Sequence, residues 1–329
     1  MTDSQNQAPR SAADSDLSNG TSDAPPSRWT RRRLLTYGIG GAGIVIAVGA
    51  VGLDLVAHGV LPGQQTLDRY DGACDVSSPP LRFATPGPAT SGTFYSNARN
   101  RTVGYTIAYP PGHGPGSTLP LVVMLHGFGG NHATAVSGMS PAEALALEMG
   151  STPLPPMAMV TVDGGNGYWN SHPGDDPMAM LTDELLPRCS RLGLGAPGHR
   201  VGAMGISMGG YGALLLAERS PNLISAVAAI SPAIWTSYQE ARLANPGAYA
   251  SAADFEADDA VTHTGALSSI PVRVASGDAD PFHAGVVALA ARLPEGTEVV
   301  ISPGCHTDPF FTSQEGPSLA FLGQHLTTT

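Results

Sequence analysis

Two nearly uninterrupted apolar runs of strand length constrain this chain more than any other feature. Residues 119–125 read L-P-L-V-V-M-L and residues 157–162 read M-A-M-V-T-V. Neither alternates polar with apolar, so each suits a strand covered on both faces, as in a parallel sheet between two layers of helices. Further strands are predicted at 102–109, 200–204, 224–230, 271–275 and 298–301. Helices are predicted at 176–192, where Met178, Leu181 and Leu185 recur at helical spacing, and at 208–219 and 317–326. Strands alternating with helices predict an α/β fold, a doubly wound and mostly parallel sheet with helices on both faces. Residues 232–268 fall between two strands and read as a small helical cap insertion over the site.

The N-terminal part reads differently. Residues 1–29 are rich in Ser, Asp, Ala, Gln and Pro and predict a disordered region, too poor in large apolar side chains to offset its ordering entropy. Arg31, Arg32 and Arg33 then abut an uncharged stretch, 34–53, rich in Gly and Ala. Paired arginines before an apolar stretch predict that 30–60 is a twin-arginine export signal or a membrane anchor, with the arginine side in the cytoplasm. No clean A-x-A cleavage site follows, so the sequence leaves signal and anchor open. Residues 61–92, with several Pro, Gly and Ser, read as a linker, and the catalytic domain is expected at 93–329. The domain is therefore expected outside the cytoplasm, secreted or membrane-anchored, where disulfides persist. The three cysteines, Cys74, Cys189 and Cys305, allow one bridge and leave one thiol, and the pairing stays open. A net charge of −11 argues against a nucleic-acid partner, which needs a basic surface. No cysteine spacing suggests a metal, and no cofactor is expected.

The chemistry concentrates at four loops. Gly205-Ile206-Ser207-Met208-Gly209 is weak as a bare pattern, because glycine makes up 41 of the 329 residues. Its context is specific: it follows a predicted strand and opens a predicted helix, the arrangement of a nucleophile elbow. Cβ atoms at 205 and 209 would collide across such a turn, and Gly210 and Gly212 would let the helix approach the sheet. His126-Gly127-Phe128-Gly129-Gly130 follows the first apolar run. A glycine-rich loop there can aim backbone N–H groups at a developing oxyanion, and Phe128 and Met208 are the expected donors. His126 itself reads as structural. After the 271–275 strand, Gly277-Asp278-Ala279-Asp280-Pro281 offers two carboxylates. Asp280 is the expected orienting acid, with Asp278 shaping the turn. After the 298–301 strand comes Gly304-Cys305-His306, and His306 is the expected base. Ser207, Asp280 and His306 thus form a serine, acid and histidine in the chain order of an esterase triad. Tyr168, Trp169 and Trp235 are expected in the substrate pocket, and Asp175 and Asp176 as a helix cap rather than a metal site.

With these motifs the chain resembles the esterase D-type branch of the α/β-hydrolases over about residues 93–327. That branch includes S-formylglutathione hydrolases, feruloyl and acetylxylan esterases and the actinobacterial mycolyltransferases. The resemblance rests on the H-G-F-G-G loop, Asp163-Gly164-Gly165, the G-I-S-M-G-G elbow, Gly277 with Asp280-Pro281, and Gly304 with His306. The paired arginines and the Gly/Ala/Pro-rich composition resemble exported actinobacterial proteins. The resemblance implies an exported serine esterase of short- to medium-chain carboxylic esters, whose substrate is a small-molecule or envelope ester. The alternative is acyl transfer to a cell-envelope acceptor, but the mycolyltransferases use Glu as triad acid where this chain offers Asp. An inactive binding protein on the same fold fits poorly with an intact serine, acid and histidine.

Overall fold

The computed structural model describes residues 74–76, 80–195 and 201–326. The N-terminal expectations, a disordered region at 1–29 and an export signal or anchor at 30–60, lie outside the described residues, as does the linker up to residue 73. Among the described residues no helix is long and apolar enough to cross a membrane.

An eight-stranded sheet forms the centre. Its strands are β1 (Ala89–Ser96), β2 (Arg101–Ala108), β3 (Leu121–Leu125), β4 (Ala158–Val162), β5 (Val201–Ile206), β6 (Ile224–Ile230), β7 (Val272–Gly277) and β8 (Glu298–Ser302). They lie in the order β1-β2-β4-β3-β5-β6-β7-β8. Strand β2 is antiparallel to β1 and to β4. All other neighbours are parallel. The helices are α1 (Pro141–Leu145), α2 (177–191, with a π-helical middle), α3 (Met208–Arg219), α4 (Tyr238–Ala244), α5 (Ala252–Ala257), α6 (His283–Ala290) and α7 (Asp308–Leu326). This is the α/β-hydrolase architecture expected from the sequence.

The apolar runs are continuous because successive residues feed two cores. Leu121, Val123 and Leu125 point into one, with Leu181, Leu185, Leu214 and Val286 from α2, α3 and α6. Val122 and Met124 point into the other, with Ala142, Leu145, Phe310, Leu319 and Leu322 from α1 and α7. Residues on opposite faces of a pleat alternate, so a strand covered on both sides must be apolar throughout.

Two boundaries differ from the sequence reading. The sheet begins at Ala89, inside the expected linker, and Phe83 already bridges Leu147. Strand β1 is an edge strand whose only buried residues are Phe94 and Ser96, so it carries no apolar signature. The closing helix begins at Asp308 rather than 317, with Pro317 inside it. Losing one backbone bond to an internal proline costs roughly 3 kcal/mol. Burying Phe310, Phe311, Leu319 and Leu322 gains about 1.5–3 kcal/mol each, which outweighs it. The strand expected at 200–204 is present from Val201, residue 200 itself lying outside the described residues. Asp176 caps α2 as expected, its side chain accepting from Ala179 N–H at 3.0 Å. Asp175 does not cap; its carboxylate pairs with Arg99 and Arg101. Cys74 and Cys305 form the disulfide. Cys189 is buried in α2, and burial pushes its thiol up to about 12, far from a reactive thiolate.

Candidate active site

Ser207 sits between β5 and α3 at φ +57, a left-handed conformation that non-glycine residues avoid. Three backbone bonds hold it there. Its N–H donates to the Ile230 carbonyl at 2.9 Å, and its own carbonyl accepts from Tyr211 and Ala233. The flanking glycines are required on steric grounds. A Cβ on Gly205 would lie 2.1 Å from the Gly209 carbonyl oxygen, and one on Gly209 would lie 1.9 Å from that of Leu125. The second clash is with the neighbouring strand, so the elbow is pressed against β3 as well as folded on itself. Gly212 makes room for a side chain rather than for the sheet: a Cβ there would meet the Trp169 ring at 2.6 Å.

The loops after β7 and β8 bring the other two residues to it. His306 Nε2 lies 2.8 Å from Ser207 Oγ, and His306 Nδ1 lies 2.8 Å from Asp280 Oδ2. A carboxylate can only accept, so Nδ1 carries the proton and Nε2 accepts from the serine hydroxyl. The Asp280 carboxyl is fully buried, and its other oxygen accepts from Phe282 N–H at 2.8 Å. Asp278 does what a turn-shaping residue does. Its carboxylate accepts from Gly304 N–H, while Ala279 N–H donates to the Gly304 carbonyl. These bonds lock the acid loop to the histidine loop. A Cβ on Gly277 would lie 2.1 Å from the Gly304 oxygen, so the two loops touch backbone to backbone. The Cys74–Cys305 disulfide holds the residue directly before His306.

The glycine-rich loop runs beside the elbow, where a Cβ on Gly127 would be 3.6 Å from Ser207 Cβ. Phe128 borders the cavity that opens at Ser207. Met208 is the first residue of α3, so its N–H has no intrahelical acceptor. The Met208 amide, at the start of α3, and Phe128, bordering the cavity, are the two positions from which oxyanion donors are expected. His126 is buried and staples this loop. Its Nδ1 donates to the Gly127 carbonyl, its Nε2 accepts from Gly164 N–H at 2.8 Å, and burial lowers its pKa, keeping it neutral.

The cavity at Ser207 is not lined by the aromatics expected there. Trp169 and Tyr168 are core residues. The Trp169 ring packs 5.1 Å from His126, and Tyr168 packs against Tyr211, Trp235 and Tyr249. Trp235 is half-buried and edge-on to Phe282, whose ring lies 5.1 Å from that of His306, so it stands one ring away from the site. None of the three lines the cavity. That cavity, of about 620 Å³, is walled by residues 133–139, with Ile206, Phe311 and Asp308. Sequence reasoning missed this wall. The available signal was Val136 and Met139 in an otherwise small and polar loop, and Phe310-Phe311 four residues after the histidine. Among the described residues no group of three or more His, Cys, Asp or Glu side chains could hold a metal ion.

The family described as Putative esterase matches residues 96–288, more than half of the chain. No curated protein sequence matches significantly. Many solved structures share the fold. A ferulic acid esterase superposes with a TM-score of 0.58 at 21% identity, covering 72% of this chain and 98% of its own. An S-formylglutathione hydrolase from Agrobacterium tumefaciens superposes at 0.56 and 18% identity, covering 75% and 98%. The fluorophosphonate-binding serine hydrolase F of Staphylococcus aureus superposes at 0.58 and 14% identity, covering 72% and 99%. At such identities the likeness to these structures is one of fold.

Proposed function

The chain belongs to the esterase family of the α/β-hydrolases and is a hydrolase of carboxylic ester bonds; from that premise we propose that it works through an acyl-enzyme on Ser207 and acts outside the cytoplasm on short- to medium-chain esters. The observation that carries the mechanism is the continuous hydrogen-bonded chain Ser207–His306–Asp280, two contacts of 2.8 Å each. In this reading Ser207 Oγ attacks the ester carbonyl while His306 Nε2 takes the hydroxyl proton. Asp280 fixes the imidazole tautomer and stabilises the imidazolium that forms. The amides of Phe128 and Met208 hold the tetrahedral oxyanion. His306 then returns its proton to the leaving alkoxide, which departs as the alcohol. Water, deprotonated in turn by His306, attacks the acyl carbonyl, and His306 passes that proton to Ser207 Oγ as the acid leaves.

The chain-length reading is supported by the cavity, whose wall of Ala135, Val136, Met139, Ile206 and Phe311 is apolar. Its volume is within the range of small-molecule sites. The insertion 232–268 contributes nothing to this lining, and its charged residues, among them Glu240, Arg242, Asp254 and Glu256, support the reading that it is not an apolar lid for long-chain lipids.

Ser207→Ala should abolish turnover of p-nitrophenyl esters and covalent labelling by a fluorophosphonate probe. Labelling that persists in the variant would overturn the assignment of the nucleophile. A series from acetate to palmitate tests the substrate class. Highest kcat/KM at palmitate favours a lipase, and turnover only with an added sugar or lipid acceptor favours an acyltransferase.

The extracytoplasmic reading rests on Arg31, Arg32 and Arg33 before the uncharged stretch 34–53, and on a Cys74–Cys305 bridge suited to an oxidising compartment. Replacing all three arginines by lysine should leave the protein in the cytoplasm, as read by cell fractionation. Unchanged export in that variant would remove the twin-arginine address. Mass spectrometry of the mature N-terminus separates a cleaved signal from a retained anchor.

A further inference from the structure

The cavity beside Ser207 is walled by an irregular loop whose two halves hang from different parts of the molecule. The first half is tied to the sheet. Asp163 at the end of β4 accepts from His132 N–H at 2.9 Å, and Thr161 Oγ1 donates to the His132 carbonyl. The second half is hydrogen-bonded to α7 at Ser137. Its N–H donates to Glu315 Oε1 at 2.6 Å, its hydroxyl donates to Asp308 Oδ1 at 2.8 Å, and its carbonyl accepts from Thr312 Oγ1 at 3.3 Å. Ala135 and Val136, between the two anchors, are buried and line the cavity, as Met139 does just beyond.

Glu315 is the unexpected member. It is fully buried, and its second carboxyl oxygen has no partner among the described residues. A buried carboxyl group is costly, so a leucine there would pack better unless the acceptor is needed. The need is visible: an amide in an irregular loop, facing the interior, has no strand or helix to bond to. Burial pushes the carboxyl up to about 8, so near neutrality it is mostly the uncharged acid, with an oxygen still available to that amide.

We propose that Glu315 is a positioning residue of the acyl pocket: through the Ser137 amide it fixes the wall formed by Ala135, Val136 and Met139, and so sets which acyl chains the enzyme accepts. This rests on the esterase reading of Ser207. An acetyl group stays beside the nucleophile and gains little from the wall. A hexanoyl chain must pack against it, and each methylene held by a well-formed pocket is worth about tenfold or more in discrimination.

The experiment compares kcat/KM for p-nitrophenyl hexanoate and acetate in the full chain. Their ratio is independent of how much of a variant is folded, so partial misfolding does not blur it. Glu315→Leu, which removes the acceptor, should lower the hexanoate-to-acetate ratio by about tenfold, chiefly through KM for hexanoate. Glu315→Gln, which keeps a carbonyl acceptor, should hold the ratio within about twofold of the unaltered protein. Should Glu315→Leu fail to fold, Thr312→Val removes only the bond to the Ser137 carbonyl and should shift the ratio the same way by less. A ratio unmoved in a folded Glu315→Leu, or moved as far by Gln as by Leu, or, where Glu315→Leu does not fold, unmoved in Thr312→Val, overturns the inference alone. Failure of the unaltered protein to turn over either ester overturns the esterase reading and this inference with it.

Discussion

Ser207 holds a conformation that costs on the order of 1–3 kcal/mol for a residue with a side chain, and three backbone bonds to its neighbours hold it there. Asp280 and Asp278 show how two residues of one type in one loop take different work. Asp280 has no exposed carboxyl surface and faces His306, whereas Asp278 faces the Gly304 amide. Asp280→Asn should therefore lower kcat by several orders of magnitude, because the histidine loses the group that sets its tautomer. Asp278→Asn should cost far less, since an amide oxygen can still accept from Gly304. The reverse ranking in steady-state kinetics would move the acid to Asp278. These residues were legible in the sequence because each belongs to a loop whose glycines and chain order are constrained by chemistry. The pocket aromatics were not. Nothing in Tyr168-Trp169 reveals that both adopt positive φ, near +59 and +58, or that both rings are buried in the core.

Among the elements, α3 carries a contest between propensity and packing. Gly212 lies inside the helix, where alanine would be favoured by about 1 kcal/mol. The added Cβ would press on the buried Trp169 ring at 2.6 Å, and overpacking of this kind costs about 1–3 kcal/mol. Packing should win, so Gly212→Ala should lower Tm; a Tm equal to or above that of the unaltered protein would show that Trp169 yields. The central strands and α3 were readable from apolar runs and glycine placement, since two-sided burial leaves no alternative composition. Strand β1 was not, because an edge strand with two buried residues looks like a linker. The start of α7 was hidden by Pro317, which reads as a first-turn residue when only local rules are applied.

Over the whole molecule, two buried acids should shape how stability responds to pH. Glu218 in α3 has both carboxyl oxygens buried without a partner among the described residues, and burial, aided by Asp259, pushes it up to about 9. Glu315 is raised in the same direction by burial, to about 8. Unfolded, each would ionise near 4.5. Between those values the native state holds protons that the unfolded state has lost, so stability falls as pH rises and the loss is complete only past the native values. Thermal unfolding should show Tm declining from pH 6.5 to 9, and Glu218→Gln should flatten part of that decline, worth on the order of a few kcal/mol. A decline as steep in the variant would mean that Glu218 ionises at an ordinary pH.

The Cys74–Cys305 bond turns most of the domain into a closed covalent ring. Ser207, Asp280 and the glycine-rich loop lie inside that ring, and His306 is the first residue outside it. A single peptide cut anywhere between the two cysteines therefore opens the ring without releasing a fragment. The nicked chain stays one molecule, with the nucleophile, the acid and the histidine still joined. In surroundings that contain proteases, the first cleavage of an exposed loop becomes a change in connectivity rather than a loss of parts. It would be seen as two bands on a reducing gel and one on a non-reducing gel.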